Sequence, residues 1–176
     1  TVYGFMQSNA AIVHEIDRRL LISALTMKLI LPEDYFERVT GPGSIPETEH
    51  WHHTKNLETF LRHVGAKYLY ALHRRDGRYY FVASADMTEP FWSEYRNPAP
   101  NIAEVEALNA VHISTTADPD YGLLRSVVLP HRDREGRRFI IGADIEASEV
   151  ALLKRRAFLN FLTMGAISFG LAVLFS

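Results

Sequence analysis

The first thirty residues carry apolar positions at intervals of three and four, which is the period of an α-helix. Over residues 8–31 one stripe consists of Ile16, Leu20, Ser23, Met27 and Ile30, and a second stripe beside it consists of Leu21, Leu25 and Leu29. Pro32 follows, and proline ends or bends a helix. The pattern predicts a long helix whose stripes form either one wide core face or two faces, one of which packs on a partner.

The next hundred residues alternate turn formers with short periodic segments. Gly41, Pro42, Gly43 and Pro46 indicate a loop over residues 40–53. Residues 54–63 predict a short helix, and Gly65 fits its C-terminal cap. Residues 86–101 contain three prolines and few periodic positions and predict a long loop. A second short helix is predicted over residues 102–110.

Two stretches with the polarity and turn residues of β-hairpins follow the short helix. The first spans residues 66–85 and turns at Asp76-Gly77. The second joins strands at residues 121–129 and 138–145 through a turn at residues 133–136. Antiparallel strands with helices on one side predict an α+β fold with a sheet of four or five strands. The long helix is expected to cover one face of that sheet.

Residues 157–176 contain no charged side chain, so all 19 Lys and Arg and all 21 Asp and Glu lie in residues 1–156. Twenty helical residues span roughly 30 Å, the thickness of a bilayer core. The segment therefore predicts a transmembrane helix, preceded by a basic collar of Lys154, Arg155 and Arg156. This divides the chain into a domain of residues 1–153 and a collar with its membrane helix over residues 154–176. The chain is expected to be part of a longer protein.

The composition excludes several classes of function. The chain has no cysteine, which excludes disulfides, cysteine-ligated zinc and a thiol nucleophile. Its formal net charge is −2, which gives no basic footprint for nucleic acid. It has no glycine-rich phosphate loop and no nucleophile elbow. No catalytic residue, no resident metal and no cofactor are therefore predicted.

Four stretches together resemble the extracytoplasmic Cache (PDC, PAS-like) sensor domains of bacterial transmembrane receptors. They are the helix IDRRLLISALTMKLILPEDYFERV, the hairpin KYLYALHRRDGRYYFVASAD, the stretch DPDYGLLRSVVLPHRDREGRRFIIGADI and the apolar tail. The resemblance implies a single-Cache domain in the periplasm, anchored in the inner membrane, that forms a homodimer. It implies that a small molecule bound there shifts a helix that leads to a histidine kinase, a diguanylate cyclase or a chemoreceptor output.

The same resemblance implies a ligand pocket between the sheet and its covering loops. Its candidate residues are Tyr70, His73, Tyr80, Ser84, Asp86, Trp92, Tyr95, Arg96, Arg125 and Ser126. Arg125 interrupts an apolar strand, where its guanidinium either binds a ligand carboxylate with two hydrogen bonds or points to solvent. Trp92 and Tyr95 either form a lid or fill a small core. Asp144, at the end of the last strand, is expected to cap the exit helix.

Two other functions remain open from the residues alone. The segment His50 to His53 reads HWHH and is expected to be a solvated loop, but imidazole is a common metal ligand. With Glu49 or His63 it suggests a membrane-anchored metal-dependent enzyme, although the spacing matches no established zinc motif. The other alternative is a ligand-free dimerisation or protein-interaction domain with a collapsed core.

Overall fold

The elements follow one another along the chain in the predicted order, with two additional strands and one additional short helix. The computed structural model describes the backbone of residues 2–174 and the side chains of residues 10–160, 162 and 163. Within residues 2–174 the elements are α1 (Val2–Ile30), α2 (Tyr35–Arg38), α3 (Glu47–Val64), β1 (Tyr68–Arg75), β2 (Arg78–Ser84), β3 (Glu94–Tyr95), α4 (Pro100–Leu108), β4 (His112–Asp118), β5 (Gly122–Arg132), β6 (Arg138–Glu146) and α5 (Ala147–Leu174).

The six strands described form one antiparallel sheet in the order β3-β2-β1-β6-β5-β4. The β1–β2 hairpin turns at Asp76 and Gly77, with φ angles of 52° and 80°. Positive φ at both central positions is the turn that matches the twist of a hairpin, which explains why Asp-Gly predicted it. The central pair, β1 and β6, joins the two halves of the chain. The α+β fold predicted from the sequence is confirmed.

Helices α1 and α3 cover one face of the sheet and form the main core with it. The first stripe of α1 faces this core, where Leu20 and Met27 are fully buried. The second stripe faces it only in part, because Leu21 packs against the core whereas Leu25 is 45% exposed and Leu29 is 84% exposed. Towards the C-terminal end of α1 the second stripe is therefore a separate, exposed face. The opposite face of the sheet packs against α4 in a smaller core.

The prediction that residues 40–53 form a loop is wrong in its second half, because α3 begins at Glu47 and includes the whole HWHH segment. Pro46 precedes the first helical residue with a φ of −59°, and Glu47 and Glu49 lie in the first turn. Acidic residues are favourable there because they face the positive end of the helix dipole. These start signals outweighed the turn formers before them.

Strand β4 was not predicted, because it lies at the edge of the sheet and contains only one large aliphatic residue, Ile113. Its side chains alternate between half-buried and exposed, so the sequence HISTTAD lacks the regularly spaced apolar residues of an interior strand.

Helix α5 follows β6 with no intervening residue. Val150 in its second turn is buried against the main core. Among the residues that the structure describes, no helix is both long and apolar enough to cross a membrane. Most side chains of the membrane helix expected over residues 157–176 lie outside the described residues.

Candidate functional site

A pocket lies on the face of the sheet opposite α1, between the ends of the central strands and the loop that follows β2. Its lining residues are Tyr68, Leu69, Tyr70, Phe81, Ser84, Asp86, Glu89, Tyr95, Asp118, Tyr121, Leu124 and Asp144. Its cavity of about 30 Å³ is narrow. A single water needs about 10–15 Å³ on this measure. A ligand of several heavy atoms therefore fits only when the surrounding side chains move.

Four carboxyl groups line this pocket, and three of them are held by their own turns. Asp118 accepts hydrogen bonds from the backbone N–H groups of Asp120 and Tyr121 at 2.8 and 2.9 Å, and from the Tyr95 hydroxyl. Asp86 accepts one from the backbone N–H of Thr88 at 2.8 Å. Glu89 accepts a hydrogen bond from the hydroxyl of Ser93. These three side chains shape the pocket wall.

The fourth carboxyl, that of Asp144, lacks such a network. Asp144 is 3% exposed, and its Oδ1 is buried without a hydrogen-bond partner. Burial raises its pKa to about 7, against the stabilising hydrogen bonds that the hydroxyls of Ser126 and Tyr70 donate. An unmatched buried acceptor costs the desolvation of that atom. The site therefore holds an acceptor that a ligand donor can satisfy.

The expectation that Asp144 caps the exit helix is wrong. Asp144 lies inside β6, opposite Tyr68 of β1 and Ser126 of β5, and three residues before α5 begins. The alternation of β6 sends its side chain to the pocket face, whereas Ala143 and Ile145 face the main core.

Five aromatic rings surround the carboxyls: Tyr68, Tyr70, Phe81, Tyr95 and Tyr121. The rings of Tyr68 and Tyr121 are 5.1 Å apart between centroids, and those of Phe81 and Tyr95 are 5.2 Å apart. Burial raises the pKa of Tyr70, Tyr95 and Tyr121, so their hydroxyls stay neutral donors. The wall of the pocket thus consists mainly of aromatic rings and carboxyl groups.

Gly142 makes room for one of these rings. It pairs with Tyr70 across β1 and β6, and a Cβ at this position would lie 2.3 Å from the Tyr70 ring. A side chain there is incompatible with the present position of the ring, so the glycine sets the width of the pocket at this point.

Four of the ten candidate residues from the sequence line this pocket: Tyr70, Ser84, Asp86 and Tyr95. Ser126 lies behind it and donates to Asp144. Four others do not line it and lie on the main-core face or the surface: His73, Tyr80, Trp92 and Arg96. Tyr80 stacks on Trp92 with centroids 5.2 Å apart, and Trp92 packs against the main core.

Arg125 makes the two-pronged contact expected of it, but with a residue of the protein itself. Its Nε and Nη2 donate to the two carboxylate oxygens of Asp17 on α1 at 2.8 and 2.7 Å. This places the guanidinium on the α1 face of the sheet, away from the pocket.

The histidines of the HWHH segment serve structural contacts. His50 is buried in α3, and its Nε2 lies 3.0 Å from the backbone carbonyl oxygen of Glu89, which ties α3 to the loop that closes the pocket. Burial lowers the pKa of His50. His53 contacts Glu49 one turn earlier in the same helix. No group of three or more His, Asp or Glu side chains within the described part of the chain is arranged to hold a metal ion.

The sequence reasoning missed five polar pocket residues: Tyr68, Glu89, Asp118, Tyr121 and Asp144. Tyr68 starts β1, Glu89 lies in the loop after β2, and Asp144 lies near the end of β6. Asp118 and Tyr121 belong to the DPDYG segment that joins β4 to β5, whose acidic-Tyr-Gly entry was noted for its resemblance but not as pocket lining. Recognising β4 as a strand would have placed that segment beside the central strands.

No protein-family model matches the chain, and no curated protein matches its sequence. Solved structures do share its fold. The ligand-binding domain of the Campylobacter jejuni chemoreceptor Tlp3 in complex with L-valine aligns with a TM-score of 0.58 and 13% identity, over 86% of this chain and 60% of that chain. The sensory domain of the same chemoreceptor with isoleucine bound gives a TM-score of 0.59 and 12% identity, over 86% and 60%.

A complex of the same domain with 4-methylisoleucine gives a TM-score of 0.59 and 14% identity, over 84% of this chain and 57% of that chain. The chain thus spans about 60% of the length of the Tlp3 domains that it matches. At these identities the likeness concerns the fold. The chain has the fold of chemoreceptor sensory domains, as its resemblance to Cache domains implied.

Proposed function

We propose that residues 1–153 form the ligand-sensing domain of a membrane-bound signal-transduction receptor. The observation that carries this proposal is the aromatic pocket with the buried Asp144 carboxyl, whose Oδ1 has no hydrogen-bond partner among the described residues, set into the fold of a sensory domain. Pockets for small molecules are mostly apolar with a few placed polar groups, and this one has that character. The Tlp3 domains of the same fold were solved with small amino acids bound.

The pocket is directly connected to α5, the helix that would carry the signal to the output module. Asp144 lies three residues before α5, and α5 packs against both α1 and the end of the sheet. A ligand that binds Asp144 favours one position of the end of β6, and therefore one position of α5 relative to α1. Receptor helices transmit such changes as small shifts or rotations.

The membrane and the partner subunit belong to the same proposal. In this proposal residues 154–176 provide the basic collar and the membrane helix, so that the C-terminal part of α5 enters the membrane, with residues 1–153 in the periplasm. The exposed stripe of Leu25 and Leu29 on α1 packs against a second copy. The output reached through α5 is a histidine kinase, a diguanylate cyclase or a chemoreceptor signalling module.

The test is a thermal-shift screen of the purified 176-residue chain against a broad panel of small metabolites. At least one compound is expected to raise Tm in a saturable way, because a ligand that binds only the folded state stabilises it. Tyr121→Ala removes a pocket ring and is expected to reduce the shift. Tyr80→Ala removes a ring on the other face of the sheet and is the matched control. A panel in which no compound raises Tm would contradict the proposal.

A further inference from the structure

We infer that the pocket binds a small cationic amine that carries no carboxylate, with Asp144 accepting the ammonium group and the tyrosine rings enclosing the apolar part. The inference rests on the proposed sensing function and names its ligand class. Amino acids, such as those bound to the Tlp3 domains, carry a carboxylate as well as an ammonium group. The charges of this pocket match only the second of these groups.

The ionisable carboxyl groups of the pocket lining have no basic counterpart in the part of the wall that the structure describes. Asp86, Glu89, Asp118 and Asp144 line the pocket, and none of the described residues that line it is lysine or arginine. An amino-acid carboxylate would therefore be buried among carboxyl groups without a cation to pair with it. A buried charge without a partner is strongly unfavourable.

The basic residues around the pocket are held elsewhere. Lys67, next to Tyr68, is bound to Glu146. Arg125 on the neighbouring strand β5 is bound to Asp17 on the other face of the sheet. Recruiting either of them to a ligand carboxylate would break an existing ion pair.

Independently of the charge of the lining, Asp144 presents an oxygen without a hydrogen-bond partner in the described part of the chain. Its Oδ1 is buried and has no donor, although the carboxyl faces tyrosines of β1 and β3, Ser126 of β5 and Asp118 of β4. An ammonium group brings three N–H donors and a positive charge to such an acceptor. It would satisfy the orphan oxygen and neutralise part of the acidic lining.

The aromatic rings of the pocket wall also favour a cation. A cation within about 6 Å of a ring centroid is attracted by the negative face of the ring. Tyr68, Tyr70, Phe81, Tyr95 and Tyr121 surround the acidic groups, and the rings also accept an alkyl or aryl substituent. Rings and carboxylate together favour an amine with an apolar body.

A matched set of probes tests the ligand class with the 176-residue chain. L-valine carries both charged groups, isobutylamine is the same skeleton without the carboxylate, and isovalerate is that skeleton without the amine. Methylamine and phenethylamine bracket the size. Thermal shifts and calorimetry at pH 8 are expected to show binding of at least one amine, no binding of isovalerate, and weaker binding of L-valine than of isobutylamine.

Two matched variants test the residue. Asp144→Asn keeps the shape but removes the charge, and is expected to weaken amine binding roughly 10- to 100-fold, the effect of losing a charged hydrogen bond. Asp17→Asn makes the same substitution on the other face of the sheet and is expected to leave amine binding unchanged.

The outcomes separate this inference from the proposed function. Binding of L-valine or isovalerate without binding of any amine overturns the amine inference and leaves the sensing function intact. Amine binding that survives in Asp144→Asn also overturns it. A response to none of these probes, with a response to a panel compound that has no amine, overturns the ligand class alone. If no compound of the entire panel binds, the amine inference and the proposed sensing function are both overturned.

Discussion

Asp144 shows how a single register position decides the chemistry of a side chain. In the sequence it stands just before a helix, where an aspartate ordinarily caps the first turn. In the sheet the strand continues two residues beyond it, and the pairing with Tyr68 and Ser126 sends its carboxyl into the pocket. Sequence periodicity located the strand over residues 138–145, within one residue of the observed end, but it did not show which face of the sheet Asp144 occupies, because that depends on the pairing with β1 and β5. The key residue of the site therefore escaped prediction.

The raised pKa of Asp144 makes stability depend on pH in an unusual direction. The unfolded carboxyl titrates near its ordinary value of 3.8, and the folded one near 7. Between these values the folded chain keeps a proton that the unfolded chain has lost, so this group's contribution to the free energy of unfolding falls as pH rises, and levels off above about pH 7. At 1.36 kcal/mol per pKa unit the total loss is on the order of 4 kcal/mol.

Asp144→Asn removes this dependence and is the variant to measure. Its Tm relative to the unchanged chain is expected to be similar or lower at pH 4 and to increase steadily up to about pH 7.5, because only the parent carboxyl becomes a buried charge. Thermal unfolding in a series of buffers of constant ionic strength measures the difference, and Asp17→Asn serves as the control. A difference in Tm that stays flat from pH 4 to 8 would show that Asp144 titrates normally.

At the scale of elements, the sequence predicted the first stripe of α1 from its helical period and the β1–β2 hairpin from its Asp-Gly turn. It predicted β5 and β6 as apolar runs on either side of a turn, and β6 is buried on both faces. The pattern failed where tertiary position overrides it. Helix α3 buries His50 and His53, which polarity alone assigned to solvent, and β4 pairs through its backbone along an edge without an apolar face.

Substitutions on the two faces of α1 are expected to differ in their effect on the free energy of unfolding. Met27 is fully buried, and Met27→Ala is expected to cost about 2–5 kcal/mol of unfolding free energy, because it leaves a cavity in the core. Leu29 is 84% exposed, and Leu29→Ala is expected to change the unfolding free energy of the monomer by less than about 0.5 kcal/mol. Urea denaturation at low protein concentration measures both.

Met27→Ala and Leu29→Ala also distinguish packing inside the monomer from association of two copies. If α1 pairs with a second copy through its exposed stripe, Leu29→Ala weakens the dimer in sedimentation experiments although the monomer is unaffected. Equal destabilisation by the two substitutions at low concentration would contradict the assignment of two separate faces.

At the scale of the whole molecule, the pocket collects residues from distant parts of the chain. Tyr68 and Tyr70 come from β1, Tyr95 from β3, Asp118 from the end of β4 and Asp144 from β6. The sequence resemblance implied a pocket between the sheet and its covering loops, and four of its ten candidates line the pocket, whereas others, such as Trp92 and Arg125, lie on the opposite face of the sheet. The remaining residues could not be predicted, because their meeting depends on the strand order, which local periodicity does not contain.

Ligand-driven movement of α5 can be measured directly because the chain has no cysteine of its own. Ala11→Cys on α1 and Leu152→Cys on α5 lie at exposed positions and accept spin labels. A compound that binds the pocket is expected to change the distance distribution between the labels by roughly 1–2 Å, the size of helix shifts in receptors. The same pair in the Asp144→Asn background is the control. A distribution that stays constant at saturating ligand would contradict coupling through β6.

The strand order also determines when the domain can fold during its synthesis. The centre of the sheet is the pairing of β1 with β6, whose partners lie some seventy residues apart, as in Tyr68 with Asp144. Such distant pairings close late, because a long loop must be ordered before the contact forms. Until Glu146 has emerged from the ribosome, β1 has one open edge, and the nascent domain has neither its central ladder nor its pocket. Folding is therefore coupled to completion of the last strand, and the site exists only once the whole domain has been synthesised.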